Sequence, residues 1–521
     1  MRTLLKPSLN NLGYIWGQKN SSRTSCLQFA DDGAIISSSI KNSQALLNIY
    51  SAWCNWAKMT IRVDKCCSFG MMKRDNQYQQ IEPSLGIGNN NIPTVPMGGL
   101  FKYLGKIFDF EMANKVAKME FITKLKNLMD ITYHVVVKVQ WKLKIVKQYV
   151  HAQLLFDLKL YDFGSTWIDQ NLDSVYVQYI RDWLGMPPSA CMKDMMMLRK
   201  SKGGLSLPLL KNLSENVWLQ KRYTMKTSRH QDVTQIWTAT ANKHITIDSL
   251  LTESATFRAA DAALKKRQVD KATKHFYDLP SQGIAAQTVA SFIPKANILH
   301  WSKQLESVPE SLHNFAKKAL QQLLPTAANL ARWGRAVDSS CQLCKKGRPQ
   351  TNKHVLSNCD SPIALERYTG RHNKVLLALA HWISRVKTGN QSLCVDVIDD
   401  KFLPIGDLFG KSCRPDLALL DDCSIIILEL TVCHETNLAK SKLFKTAKYS
   451  SISDHLLIQH KGNAVKLHTV EVSTLGFVSN LSEFTTIANL PKVPIDLFHS
   501  IASIALNCSY AIYCNRNSNS A

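Results

Sequence analysis

Acidic residues are scarce in this 521-residue chain: 40 Asp and Glu stand against 64 Lys and Arg, a net charge of +24 and a pI near 9.4. That imbalance points to a polyanionic partner. No amphipathic stretch joins a bulky apolar face to a concentrated basic one, which favours nucleic acid over an anionic membrane. Long apolar runs are lacking too. The most apolar run, IASIALNCSYAIYC at 501–514, reads as too short and too polar to span a bilayer. The opening MRTLLKPSLNNLG lacks the apolar core of a secretory signal, so an intracellular, reducing compartment is expected. The 14 cysteines are then mostly free thiols, some of them available to metal. No internal repeat or low-complexity tract is present. The length exceeds what one hydrophobic core serves, and predicts two to four domains of ordinary globular composition, 45% hydrophobic and 20% charged.

What is there is most organised between Ser412 and Tyr449, SCRPDLALLDDCSIIILELTVCHETNLAKSKLFKTAKY. Two apolar runs of strand length, Leu417–Leu420 and Ile425–Val432, are separated by Asp421, Asp422, Cys423 and Ser424 and followed by a basic amphipathic helix. A turn centred on Asp422 and Cys423 sets residue i opposite 845 minus i, because the two numbers sum to 845. Asp416 then lies opposite Glu429. Cross-strand partners share a face, so the two carboxylates stand side by side at a separation suited to one divalent ion. A carboxylate inside IIILEL is costly to bury unless paired or metal-bound. Beyond the helix, AVKLHTVEVS reads as a further strand.

A second pattern is Cys341-x2-Cys344-x9-His354-x4-Cys359, three thiols and an imidazole at spacings that suit a closed tetrahedral Zn²⁺ site. Such a site orders structure rather than catalyses. Lys345, Lys346 and Arg348 place positive charge inside the loop, and Arg367, Arg371 and His372 beside it are candidate phosphate contacts. Nearer the start, LQFADDGAIISS at 27–38 is a β-hairpin signal that projects Asp31 and Asp32 at its tip. WAKMTIRVDKCCSFGM follows, with Met59, Ile61 and Lys65 on a strand, and then FKYLGKIF at 101–108.

The order of acidic hairpin, Lys65 strand and Tyr103-Leu104-Gly105 hairpin resembles the palm of reverse transcriptases from non-LTR retrotransposons. RDWLGMPPSACMKDMMMLRKSKGGLSLPLL resembles the segment after their thumb, and LLPTAANLARW with the Cys/His spacing resembles their zinc-binding segment. In that family a further aspartate upstream of the acidic hairpin completes the polymerase metal site. Asp31 and Asp32 are therefore expected to be a partial Mg²⁺ site, and the chain is not expected to polymerise DNA alone. Arg414-Pro415-Asp416, Glu429, Glu435 and the helix through Lys445 and Lys448 resemble the restriction-like nuclease domain at the C-terminal end of site-specific retroelements of this kind. That resemblance implies Mg²⁺ on Asp416 and Glu429 and a catalytic lysine. Lys448 is preferred to Lys445 because it directly precedes Tyr449, and Arg414 is a candidate nucleic-acid contact. Two readings fit Glu435, a further metal or water ligand or the N-cap of the helix.

The expected fold is multidomain α+β: a partial reverse-transcriptase palm over 1–110, a helical thumb over 111–225, a helical connector over 226–300, a zinc knuckle with flanking helices over 301–375 and an α/β restriction-like nuclease over 376–521. The lysines between Lys115 and Lys147 read either as a phosphate-facing thumb surface or as solvated helix faces. The implied partners are target DNA and an element RNA template, without a membrane, in the nucleus. Three functions stay open: a working endonuclease, an inactive nucleic-acid-binding remnant, and a host protein derived from such an element.

Overall fold

A computed structural model of the chain describes residues 11–15, 23–111, 114–241, 245–397, 402–405, 414–422, 424–459 and 464–518. It is mixed helix and strand, and it divides into two compact units interleaved along the sequence. Met1–Thr132, Val146–Tyr176 and Leu210–Arg267 make the first; Tyr133–Ile145, Val177–Leu209 and Gln268–Ala521 make the second.

The three longest hairpins of the first unit, among the described residues, have two-residue turns. β1 (Cys26–Phe29) pairs with β2 (Asp32–Ile35), β3 (Gly70–Arg74) with β4 (Gln77–Ile81), and β5 (Phe101–Tyr103) with β6 (Lys106–Phe108), all antiparallel. Left-handed backbone at Ala30, at Asp75 and Asn76, and at Leu104 and Gly105 turns the chain in each, a conformation that matches the twist of the flanking strands. Each ladder stays two-stranded. The Tyr103 hydroxyl donates to Leu27 O at 3.4 Å and joins the first hairpin to the third. The strand expected around Met59, Ile61 and Lys65 does not form. Val63–Lys65 is a single 3₁₀ turn, beside a fork in which Arg62 folds back onto Asp64 at 2.9 and 2.5 Å. Local charge pairing there takes precedence over the strand pattern.

Helices α1 (Ile40–Trp56), α2 (His151–Leu160) and α3 (Leu210–Lys226) belong to the same unit. The start of α3 is held by Asp173, a buried residue whose two carboxylate oxygens accept from Leu210 N at 2.7 Å and Lys211 N at 3.2 Å. Those are two of the donors that a helix N-terminus leaves without internal partners.

In the second unit the last turns of α4 (Phe257–Tyr277) lead through further helices to α5 (Pro362–Val386) and then to a five-stranded sheet. Its strands are β7 (Ser392–Val395), β8 (Leu403–Pro404), β9 (Leu417–Asp421), β10 (Ser424–Cys433) and β11 (Ala464–Ser473), in the order β8-β7-β9-β10-β11. β9 and β10 form an antiparallel hairpin. β10 and β11 run parallel, which requires a crossover, supplied by α6 (Leu438–Gln459). Side chains alternate along β10 as the pleat requires. Ile426, Leu428 and Leu430 join Val470 and Val472 in a core closed by Val375, Leu376 and Leu379 of α5 and by Ile501 and Ala505 of α7 (Ile495–Cys514). On the opposite face Ile425 and Ile427 pack with Val465 and Leu467.

The helix α7 is longer than the run at 501–514 read from the sequence. At twenty residues it is long and apolar enough to cross a membrane. Leu497, Phe498, Ile501 and Ala505 instead lie in the sheet core. Leu428 is fully buried at the centre of that core. Leu428→Ala is expected to cost about 2–5 kcal/mol, read as a lower urea midpoint for the second unit's transition, with an unchanged midpoint contradicting this placement.

Candidate zinc centre and carboxylate row

Cys341 and Cys344 sit on a tight loop. Cys341 N donates to Arg348 O at 2.9 Å, Lys345 N donates to Cys341 O at 3.1 Å, and the chain reverses through left-handed Lys345 and Gly347. Backbone N–H groups of Leu343 and Cys344 point at the Cys341 sulfur; burial pushes this thiol's pKa up, and those N–H groups oppose the rise. His354 and Cys359 are five residues apart, a spacing that an ordinary α-turn does not align. The structure meets it with a π-helical turn over His354–Asn358, in which backbone bonding runs from i to i+5. Burial holds His354 below the usual imidazole range, in the neutral form that binds metal.

The four donor atoms lie within 4.8 Å of one another. Cys341 Sγ is 4.0 Å from Cys359 Sγ, and Cys344 Sγ is 3.6 Å from His354 Nε2. Ligands held about 2.0–2.3 Å from a common tetrahedral Zn²⁺ are about 3.6–3.8 Å apart. The donor set fits the ion in chemistry and in spacing. Around it, the Ser361 hydroxyl lies 3.5 Å from Cys359 Sγ and accepts from Ala364 N to start α5. The Tyr368 hydroxyl is within 3.1 Å of His354 O and 2.8 Å of Val355 O.

The basic residues expected to grip phosphate divide. Lys345 is exposed. Lys346 and Arg348 are exposed too, but both reach Asp360, at 2.7 and 3.3 Å. Arg367 donates to the carbonyls of Asn515 and Ser518. Arg371 is 1% exposed and donates to Ser509 Oγ at 2.9 Å; it is a core residue that cannot reach a phosphate on the surface. Its position on the inward face of α5 overrides its charge.

The second centre is at the end of the sheet. β9 pairs with β10 from Leu417 opposite Leu428 to Asp421 opposite Ser424, each pair summing to 845; Cys423 lies outside the described residues. Extended by one residue, the register sets Asp416 against Glu429. Asp416 N donates to Glu429 Oε2 at 3.2 Å, and Leu430 N donates to Asp416 Oδ2 at 2.7 Å. The neighbouring ladder pairs Val395 with Leu417, and Asp396 N donates to Asp416 O at 2.9 Å. Asp396, Asp416 and Glu429 therefore form a row across three strands. Sequence reading missed Asp396, because β7 is separated from β9 by some twenty residues and no turn signal ties their registers.

Each carboxylate in the row has its own cation. Arg414 lies 3.5 Å from Asp396, His372 lies 3.4 Å from Asp416, and Lys445 bonds Glu429 Oε1. Glu429 is 1% exposed. Burial, with the Asp416 charge adding to it, raises its pKa to about 7, against the opposing pull of Lys445. For His372 burial disfavours the imidazolium, but Asp416 outweighs burial and lifts its pKa to about 9. Its Nε2–H also donates to Leu430 O at 3.2 Å. His372 thus belongs to the carboxylate row rather than to a surface for phosphate.

The two candidate lysines part in the structure. Lys445, and not Lys448, reaches the buried carboxylate. Lys448 stands 3.3 Å from the Tyr449 hydroxyl, which donates to Arg414 O at 3.0 Å. Glu435 caps nothing: the N-cap side chain is that of His434, accepting from Thr436 N. The Glu435 carboxylate, buried, accepts from Thr474 Oγ1 and Leu475 N, both at 2.9 Å, and ties the start of α6 to the turn after β11. Asp31 and Asp32 are exposed at their hairpin tip and belong to no group of three or more metal-type donors among the described residues. Lys65 is exposed on its 3₁₀ turn.

Residues 285–364 match the family described as zinc-binding in reverse transcriptase, a stretch containing all four Cys and His donors. The match supports descent from a reverse-transcriptase-related protein of a retroelement, and it covers under a sixth of the chain. No curated protein matches the chain. Cys344→Ser is expected to lower the zinc bound per chain by one equivalent in protein purified without chelator, measured by elemental analysis; an unchanged content would contradict the centre.

Proposed function

We propose that this is a retroelement-derived protein that binds nucleic acid and nicks DNA by metal-dependent hydrolysis of a phosphodiester. One observation carries the reading: two carboxylates on adjacent strands are brought together where β9 begins beside the middle of β10, with a lysine on the deeper one. Both are hard oxygen donors of the kind Mg²⁺ takes. A Mg²⁺ ion held by Asp416 and Glu429 would polarise the scissile phosphate and lower the pKa of an attacking water. The chain's own residues do the rest. Backbone N–H groups, that of Asp416 on Glu429 Oε2 and that of Leu430 on Asp416 Oδ2, fix both carboxylates before any ligand arrives. His372 holds Asp416 Oδ1 from the helix that also carries the zinc loop. Lys445, which bonds Glu429 Oε1, stands beside the carboxylates that would hold the ion and would offset the negative charge that develops on the phosphate. Lys448 and Tyr449 hold the Arg414 backbone, which leads directly into Asp416.

The excess of 24 positive charges supports retention of polyanionic DNA and of an element RNA. The zinc centre orders the loop that carries Lys345, Lys346 and Arg348. By the same resemblance the setting is the nucleus, and the acidic hairpin at Asp31 and Asp32 belongs to polymerase machinery. A second reading is favoured by one contact: Glu429 is closed onto Lys445, as in a site that binds DNA without turnover.

A supercoiled plasmid separates the two. With Mg²⁺ or Mn²⁺ the chain is expected to convert it to the open-circular form, and Asp416→Asn and Glu429→Gln each to slow conversion by about 100-fold or more. Lys445→Ala is expected to fall further than Lys448→Ala. Binding without nicking under every divalent ion would sink the nuclease and leave the second reading.

A further inference from the structure

Away from both centres, three side chains of metal-binding type meet in the second unit. The short helix Met192–Met197 is anchored by Met192, Met195, Met196 and Met197, all buried. That anchoring leaves Asp194 on the outer side, with Cys191 three residues before it on the same face. His275, near the end of α4, arrives at the same point. The Cys191 thiol donates to Asp194 Oδ2 at 2.9 Å, and His275 Nδ1 lies 2.5 Å from the same oxygen. The three donor atoms lie within 4.8 Å of one another.

Both sides of this cluster are braced. Gln282 Oε1 accepts from Cys191 N at 2.8 Å, and Gln282 Nε2 donates to Ser189 O at 2.7 Å. The adjoining Gly283 is packed so closely that a Cβ there would fall 2.0 Å from Phe276 O. The loop carrying Cys191 and the segment following His275 are thus fixed to one another independently of the Asp194 contacts. An ion pair needs only two of the three groups. Here a thiol, a carboxylate and an imidazole converge on a preorganised frame, open on one side, where the His275 side chain is 68% exposed and that of Asp194 is 16% exposed.

We propose that Cys191, Asp194 and His275 form a second transition-metal site, of the Zn²⁺ class, with its fourth position open to solvent. A thiolate and an imidazole select Zn²⁺ or Co²⁺ over Mg²⁺ or Ca²⁺. Binding exchanges protons for the ion. Cys191 gives its S–H proton to solvent, and His275 Nδ1 presents its lone pair after losing its proton or moving it to Nε2. Ligands of a tetrahedral ion stand about 3.3–3.6 Å apart, so Asp194 Oδ2 draws back by under about 1 Å, a side-chain rotation. The ion would clip the loop before Met192 to the end of α4. This site does not depend on the nicking reaction.

The test is zinc content of the full chain, loaded with Zn²⁺ and desalted, by elemental analysis. Two equivalents are expected. His275→Gln and Asp194→Asn each leave one, and Cys344→Ser removes the other. His275 is on the surface and Asp194 is partly buried, and an unchanged circular dichroism spectrum verifies the fold of each variant. With Co²⁺, Cys191→Ser is expected to remove part of the thiolate-to-cobalt absorption. A single equivalent lost with Cys344→Ser overturns the proposal, as do two equivalents untouched by His275→Gln and Asp194→Asn. A single equivalent lost with His275→Gln but kept by Cys344→Ser supports this site and removes the other.

Discussion

A carboxylate cannot sit inside an apolar sheet without compensation, and Glu429 is the residue on which that constraint acts hardest. It lies in β10 between Leu428 and Leu430, both buried in the core. Its charge is tolerated through two contacts, the backbone N–H of Asp416 and the Lys445 ammonium, and against the Asp416 carboxylate that the register brings alongside. Removing one partner of such a buried pair leaves an uncompensated charge, which is worse than having neither. The same requirement extends outward along the row. Asp416 is answered by His372 and Asp396 by Arg414, so a line of three acids is neutralised one for one by cations from three different segments.

The helix α5 links that row to the candidate zinc centre through contacts along a dozen residues. Ser361 at its start touches Cys359 Sγ, Tyr368 holds the carbonyls of His354 and Val355, Arg371 is buried against Ser509, and His372 reaches Asp416. A helix is stiff over this length, so the position of the zinc ligands and the position of Asp416 are set by one rigid element.

Much of both centres was legible in the sequence. The Cys and His spacing is a local pattern, and local patterns survive into structure. The sum of 845 is likewise a property of one turn, and the β9 and β10 ladder keeps it throughout. The acidic hairpin and the Tyr103-Leu104-Gly105 hairpin formed for the same reason. What escaped depends on distant segments. Asp396 enters through the pairing of β7 with β9, which no adjacent turn announces. His372 and Arg371 are neighbours in sequence, yet helix geometry sends one to a carboxylate and the other into the core. Lys445 and Lys448 share a helix face, and one turn of reach decides between them. The expected Lys65 strand failed because the local fork between Arg62 and Asp64 closed a 3₁₀ turn instead.

The proposed hydrolysis requires the carboxylate pair to accept a divalent ion. Anomalous scattering from crystals soaked in Mn²⁺ tests this directly. A peak between Asp416 and Glu429, with the Lys445 ammonium moved off Glu429, is the predicted result. No peak there at saturating Mn²⁺, with Lys445 still on Glu429, would contradict it.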